Sequence, residues 1–323
     1  MGRRIEESFI SVIGVFGANG FIGRAVVRHL LGRHQRVVAV GRTFPSDYER
    51  IVGGSVEMRV IDFRDALSVH AMLQGIDQAI DLVNSSSPAL GNGRVVEDAA
   101  TNVLPHISFV QSCVLSRVSR IVFLSSGGTI YGAPHYLPLD EDHPTNPLVS
   151  YGTAKLMVEH YLRMLTRDSA VDHVILRVSN PFGPGQVLRK GQGLIASILE
   201  RQAAGLPIII YGDGETQRDY LYIDDLCHAL TAALEAPPMH QTFNIGTGHG
   251  HSTLEVIKEV EATLGSKFKI EFADDRPTDA KSNVLDCRKA TRLLNWTAQT
   301  PFGEGIKLTV AAAIGGANSI IPR

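Results

Sequence analysis

The stretch Val12-Ile13-Gly14-Val15-Phe16-Gly17-Ala18-Asn19-Gly20-Phe21-Ile22-Gly23 constrains this chain most. The apolar run Val12 to Phe16 reads as a buried parallel strand, and from about Phe21 to Leu31 the periodicity is helical, with Ile22, Val26, Val27 and Leu30 on one face. Between them Gly17, Gly20 and Gly23 stand in a G-x-x-G-x-x-G spacing. Strand, glycine turn and helix together form a dinucleotide-binding unit. Gly17 allows the sharp turn, Gly20 lets the backbone approach a pyrophosphate, and Gly23 lets the helix pack on the strand. Free N–H groups at the helix start, around Phe21 and Ile22, face the anion with the positive end of the helix dipole.

The rest of the chain continues this rhythm. Strands are expected at Arg36–Val40, Val56–Ile61, Ala79–Val83, Arg120–Leu124 and His173–Val178. Helices are expected at Ala66–Leu73, along one long stretch Val95–Ser116, and at Ser150–Thr166. Such β-α-β alternation means a parallel sheet covered on both faces, with ligands beyond the strand C-termini. After Asn180 the rhythm changes. Helices at Leu194–Ala204, Asp224–Glu235, Leu254–Leu264 and Arg288–Leu294 mix with strands at Leu206–Tyr211 and Thr242–Ile245. The expected class is α/β: a doubly wound parallel sheet with a smaller C-terminal α/β substrate-binding lobe. Residues 1–180 form the nucleotide domain, 219–250 return to it, and 181–218 with 251–323 form the lobe. The tail after Ala313 shows no periodicity.

Composition bounds the partners. With 323 residues, 31 basic and 33 acidic side chains and a net charge of −2, the chain offers no global field for nucleic acid or an anionic membrane. No apolar run approaches the ~20 residues that span a bilayer. Cys113, Cys227 and Cys287 are widely spaced and give neither a disulfide framework nor zinc spacing, so no metal is expected. Residues Met1–Glu7 carry acids and lack the apolar core of a signal peptide, which points to the cytoplasm.

Two features bear on the dinucleotide. The second strand ends in Val40-Gly41-Arg42, without the carboxylate that usually binds the ribose hydroxyls of NAD. Arg42 suits a 2′-phosphate, which tilts the choice between NAD and NADP toward NADP; alternatively it is a solvated loop charge or stacks on adenine. Asp62, followed by Phe63 after the third strand, is placed to accept from the adenine amino group, or else caps the next helix.

The chemistry falls on Tyr151-Gly152-Thr153-Ala154-Lys155, whose phenol and ammonium lie one helical turn apart. A phenol of pKa ~10 is a poor base at neutral pH. A neighbouring ammonium and a nicotinamide cation favour the phenolate, so Tyr151 can exchange a proton with a sugar hydroxyl while Lys155 holds the nicotinamide ribose.

With Gly17-x-x-Gly20-x-x-Gly23, Leu124-Ser125-Ser126-Gly127-Gly128-Thr129-Ile130-Tyr131-Gly132 and Tyr151-x-x-x-Lys155, the chain resembles the extended short-chain dehydrogenase/reductase family, in its nucleotide-sugar epimerase/dehydratase branch. Further matches are Ser179–Gly185, Tyr211-Gly212-Asp213-Gly214, Arg218-Asp219-Tyr220, Asn244-Ile245-Gly246 and Arg276–Asp279, so the resemblance runs from about residue 10 to 310. It implies a Rossmann domain and a nucleotide-sugar substrate. It also implies that Asn102 shapes the nicotinamide side, that Asn180 and Tyr211 contact the substrate, and that Arg218 and Arg276 clamp its diphosphate. A homodimer packed through the helices at 95–116 and 150–166 is implied as well. The chain departs from the pattern at Gly127, where the family usually has Ser or Thr; Ser126 or Thr129 is expected to take that hydroxyl's role. Gly128 and Thr129 replace the carboxylates of family dehydratases, which removes the general acid for water elimination. What remains is epimerisation at C4 of a UDP-hexose by transient oxidation. The alternatives are an NADPH-dependent keto-sugar reductase and a non-catalytic NAD(P)-binding regulator.

Overall fold

The computed structural model describes residues 11–88, 92–186, 193–275 and 280–317. Its main layer is a seven-stranded sheet, parallel throughout. The strands are β1 (Val12–Phe16), β2 (Arg36–Gly41), β3 (Glu57–Val60), β4 (Gln78–Asp81), β5 (Arg120–Ser126), β6 (Asp172–Val178) and β10 (Gln241–Ile245). They lie in the order β10-β6-β5-β4-β1-β2-β3. The order reverses between β1 and β4, which opens a crevice at their C-terminal ends.

Period-two alternation splits each strand between two cores. Val122 and Leu124 of β5 join one apolar cluster with Val26, Val27 and Leu30 of α1 (Phe21–Gly32). Ile121 and Phe123 join the opposite cluster. That face is covered by α3 (Ala66–Met72), α5 (Leu104–Leu115) and α6 (Ser150–Thr166) through Val69, Phe109, Val110, Val158 and Leu162. A short α2 (Tyr48–Val52) packs beside α1.

The stretch 95–116 is not one α-helix. It runs as α4 (Val95–Asp98), a π-helical turn over Ala99–Val103, and then α5. Pro105 has no N–H to give to a carbonyl in the preceding turn, so the hydrogen-bond register slips there.

Beyond β6 the chain builds smaller sheets. β7 (Asn180–Phe182), β9 (Gln217–Tyr222), β11 (Gly250–Ser252) and β13 (Ser282–Asn283) form a four-stranded one. β8 (Ile208–Tyr211) pairs with β12 (Ile270–Ala273). α7 (Leu194–Ala203), α9 (Thr253–Leu264) and α11 (Phe302–Ala317) pack around them, and α10 (Arg288–Leu294) lies against β10. α8 (Ile223–Glu235) returns to the large sheet and packs on α1. Where the sequence after Ala313 shows no pattern, α11 continues to Ala317, carried by the buried turns at Ile306 and Val310.

Candidate active site

The glycine turn sits on the crevice. Gly17 has φ +85°, and a Cβ there would lie 3.1 Å from the Leu82 backbone, so only glycine fits without strain. Gly17 and Ala18 both donate to the Val40 carbonyl, at 2.9 and 3.1 Å. A Cβ on Gly23 would stand 2.3 Å from the Gly17 oxygen, which is the close packing of α1 on the turn. The buried Tyr48 hydroxyl donates to Ala18 O at 2.9 Å and holds the turn from behind. α1 begins at Gly20 without a side-chain cap, leaving the first-turn N–H groups for an anion. Phe21 and Ile22 bring backbone to that turn, while their side chains pack on the core. Gly17, Gly20, Arg42, Asp62 and Phe63 all line one cleft of about 460 Å³.

At the far end of that cleft Arg42 is exposed on the rim. Arg64 grips Asp62: its Nε reaches Oδ1 at 3.0 Å and its backbone N the same oxygen at 3.0 Å. These bonds hold the Asp62 carboxyl down at about 2. The cap of α3 is Asp65, which accepts from Leu67 N and Ser68 N, so Asp62 is not the capping residue. Two guanidiniums therefore flank one carboxylate at this end. Phe63 is mostly core, against Phe109 and His106.

Tyr151 and Lys155 lie on the first turns of α6, beside the end of β5. The Ser126 hydroxyl faces the Tyr151 phenol and favours its ionised form, and Thr129 Oγ1 donates to Ser126 Oγ at 2.9 Å. Burial raises the phenol to about 12; the Ser126 bond pulls it back, and the Asp98 carboxylate adds to the rise. This corrects the expectation that Lys155 lowers it. The Lys155 ammonium is instead drawn to Leu124 O at 2.9 Å and over the Phe123 ring. Burial lowers it to about 8, against the pull of Asp81 and Glu159.

The departure at Gly127 has a steric cause. A Cβ there would lie 2.6 Å from Leu285 Cδ1 and 3.0 Å from Arg177 O. Ser125 is turned away, donating to the buried Glu159 at 2.6 Å. Ser126 and Thr129 are thus the hydroxyls that β5 and its loop offer toward Tyr151.

Asn102 sits in the π-helical turn, buried. Its Oδ1 takes Ser85 N at 2.8 Å and Ser85 Oγ at 2.9 Å, and its Nδ2 reaches Ser86. Ser85 and Ser86 line the cleft, so Asn102 supports its wall. Asp98, one turn earlier, joins Asn102 to Ser150; sequence reasoning misses it, though its i, i+4 spacing to Asn102 is visible along the chain. Asn180 opens β7, anchored by Nδ2 to Asp219 O at 2.9 Å, with Oδ1 toward Gly128. Arg218 lies on β9, two residues from the partner of Asn180, and Tyr211 ends β8, partly exposed. Arg276 lies outside the described residues. Among the described residues no group of three His, Cys, Asp or Glu is placed to hold a metal, and no helix is long and apolar enough to cross a membrane.

Comparison with known proteins converges with this geometry. The model of the family described as "NAD dependent epimerase/dehydratase family" matches residues 13–246. A putative UDP-glucose 4-epimerase of Methanocaldococcus jannaschii is 30% identical, the match covering 93% of this chain and 97% of that one. A dTDP-4-dehydro-6-deoxyglucose reductase of Escherichia coli is also 30% identical, over 90% of this chain and 94% of the other. The crystal structure of the Thermus thermophilus UDP-glucose 4-epimerase in complex with NAD superposes with a TM-score of 0.87 at 30% identity, covering 94% of this chain and 99% of that one.

Proposed function

The chain belongs to the NAD dependent epimerase/dehydratase family, and from that premise we propose that it is a nucleotide-sugar 4-epimerase acting on a UDP-hexose. The observation that carries the reading is the Tyr151–Ser126–Thr129 hydroxyl cluster beside Lys155, with no carboxylate at 127–129 to drive elimination. The cleft fits a dinucleotide: the uncapped start of α1 and the close approach at Gly17 and Gly20 suit a pyrophosphate. When bound, the nicotinamide ring supplies hydride acceptance and return. The chain's own part is proton handling. Tyr151 Oη takes the proton of the sugar hydroxyl at C4 and returns it after the ketone has presented its other face. Ser126 and Thr129 hold that oxygen in line, and Lys155 holds the ribose. Burial raises the Tyr151 phenol, and a bound dinucleotide would supply a positive charge that opposes it.

Asn102 supports the nicotinamide side; Asn180, Tyr211, Arg218 and Arg276 receive the substrate. We assign residues 1–180 and 219–250 to the dinucleotide domain, and 181–218 with 251–323 to the substrate lobe. Arg42 and the absence of a carboxylate at the end of β2 favour NADP over NAD. The exposed Leu104, Leu115, Met157 and Met164 on α5 and α6 support a homodimer through those helices. The free thiols of Cys113, Cys227 and Cys287 fit a cytoplasmic protein.

The test is incubation of the purified chain with UDP-glucose and UDP-N-acetylglucosamine without added reductant, with analysis for the C4 epimers. Stoichiometric consumption of NADPH by a keto-sugar substrate would move the assignment to a reductase. That reading draws on Arg42 and on the similarity to the Escherichia coli reductase.

A further inference from the structure

One carboxylate ties the wall of the cofactor cleft to the catalytic helix. Asp98 closes α4 where the π-helical turn begins and is 7% exposed. Its Oδ1 accepts from Asn102 Nδ2 at 2.5 Å, and its Oδ2 accepts from Ser150 Oγ at 2.6 Å. On one side the contact continues through Asn102 to Ser85, whose N and Oγ both reach Asn102 Oδ1. On the other side Ser150 directly precedes Tyr151. α6 starts without a side-chain cap of its own. Its first residue is fixed from outside, by Asp98 at the hydroxyl and by Asn92 Oδ1 at the Ser150 N–H, 2.8 Å away.

We propose that Asp98 is a positioning residue for the reaction: it fixes the start of α6, and so Tyr151, against the nicotinamide end of the cleft. The proposal rests on the reading of Tyr151 as the proton-exchanging group. Asp98 and Asn102 stand four residues apart, so their side chains meet along the helix while each carries a second partner. Two charge-assisted hydrogen bonds at near-minimal length leave the Asp98 carboxylate little freedom to turn.

The carboxylate also bears on the phenol electrostatically. Tyr151 faces the Ser126 hydroxyl from β5 and the Asp98 carboxylate from α4, with Lys155 one turn along its own helix. Next to Asp98, Glu97 is engaged by Arg94 at the surface. Of these groups Asp98 opposes ionisation of the phenol and Ser126 assists it. Asp98 thus fixes the start of the helix that carries the phenol and adds to the rise that burial sets.

Two variants separate these duties. Asp98→Asn keeps the shape but removes the charge and one acceptor. Ser150→Ala removes one hydrogen bond and keeps the charge. The readouts are kcat and the tyrosinate absorbance of the complex with oxidised dinucleotide, titrated against Tyr151→Phe in the same background. Ser150→Ala is expected to lower kcat about tenfold with the phenol titration in place. Asp98→Asn is expected to lower kcat by about ten- to a hundredfold and to move the titration to lower pH. Wild-type kcat in both variants would overturn the proposal. So would a loss of kcat in Asp98→Asn with an unmoved titration, because Asp98 would then only hold the fold. The titration does not depend on the sugar. A wild-type chain inactive on every UDP-sugar, combined with a shifted titration in Asp98→Asn, would count against the epimerase and leave Asp98 as assigned.

Discussion

Restoring a hydroxyl at Gly127 is the sharpest test of how this site is built. In Gly127→Ser the new Cβ meets Leu285 Cδ1 at 2.6 Å, Leu285 Cδ2 at 3.1 Å and the Arg177 carbonyl at 3.0 Å. The carbonyl belongs to β6, held between β5 and β10, and cannot retreat. Leu285 is fully buried with Ile130, Tyr131 and Leu139, and its backbone N–H points to Asp219, so its room to move is small. Overpacking of this kind costs about 1–3 kcal/mol. Gly127→Ser should therefore unfold at lower denaturant by that amount, and its 4-epimerase turnover should not exceed that of the parent, since Ser126 and Thr129 already serve the phenol. Leu285→Ala alone should cost about 2–5 kcal/mol by opening a cavity. The double variant should be more stable than the sum of the two by about 1 kcal/mol or more, because the serine occupies space that the leucine vacated. Chemical denaturation of the four proteins measures the cycle. A Gly127→Ser protein as stable as the parent, with no coupling to Leu285, would refute the steric account of this departure.

The catalytic pair and the far end of the cleft can be probed separately. Tyr151→Phe should lose about 10²- to 10⁴-fold in turnover while binding the dinucleotide as the parent does, measured by calorimetry beside the activity assay. Lys155 titrates near 8 in the fold against 10.5 ordinarily, so above pH 8 the unfolded chain holds more protons and its share of stability rises until about 10.5. Denaturation across that window should show a rise in the parent that is missing in Lys155→Met. Arg42→Ala should weaken NADP binding about three- to tenfold and leave NAD binding within about twofold, since the guanidinium is exposed and partly screened; equal losses for both dinucleotides would reject its assignment to the 2′-phosphate.

Which parts of this arrangement the sequence discloses follows from the range of the interactions. The glycine turn, the alternation of the seven parallel strands and the Tyr151–Lys155 spacing are local. Each is set within about a dozen neighbouring residues, where periodicity and backbone demand read directly. The strands β7, β11 and β13 are not, because two or three residues paired to the distant β9 leave no pattern of their own. Ser125 and Ser126 are adjacent and chemically identical in the sequence, yet Glu159, two turns farther along the helix that carries Tyr151, takes the first and leaves the second for the phenol. The behaviour of the phenol is hidden for a similar reason. Lys155 is one turn away along the helix, but its ammonium is drawn to Leu124 O, so burial governs Tyr151, opposed by Ser126 and reinforced by Asp98. Gly127 shows the same logic from the opposite direction. Read along the chain it is a missing hydroxyl. In the fold it is the space filled by Leu285, whose segment crosses from the second sheet while Asn283 bonds the Gly127 carbonyl at 3.0 Å. The substitution and its compensation stand more than a hundred residues apart, and only their contact makes either one intelligible.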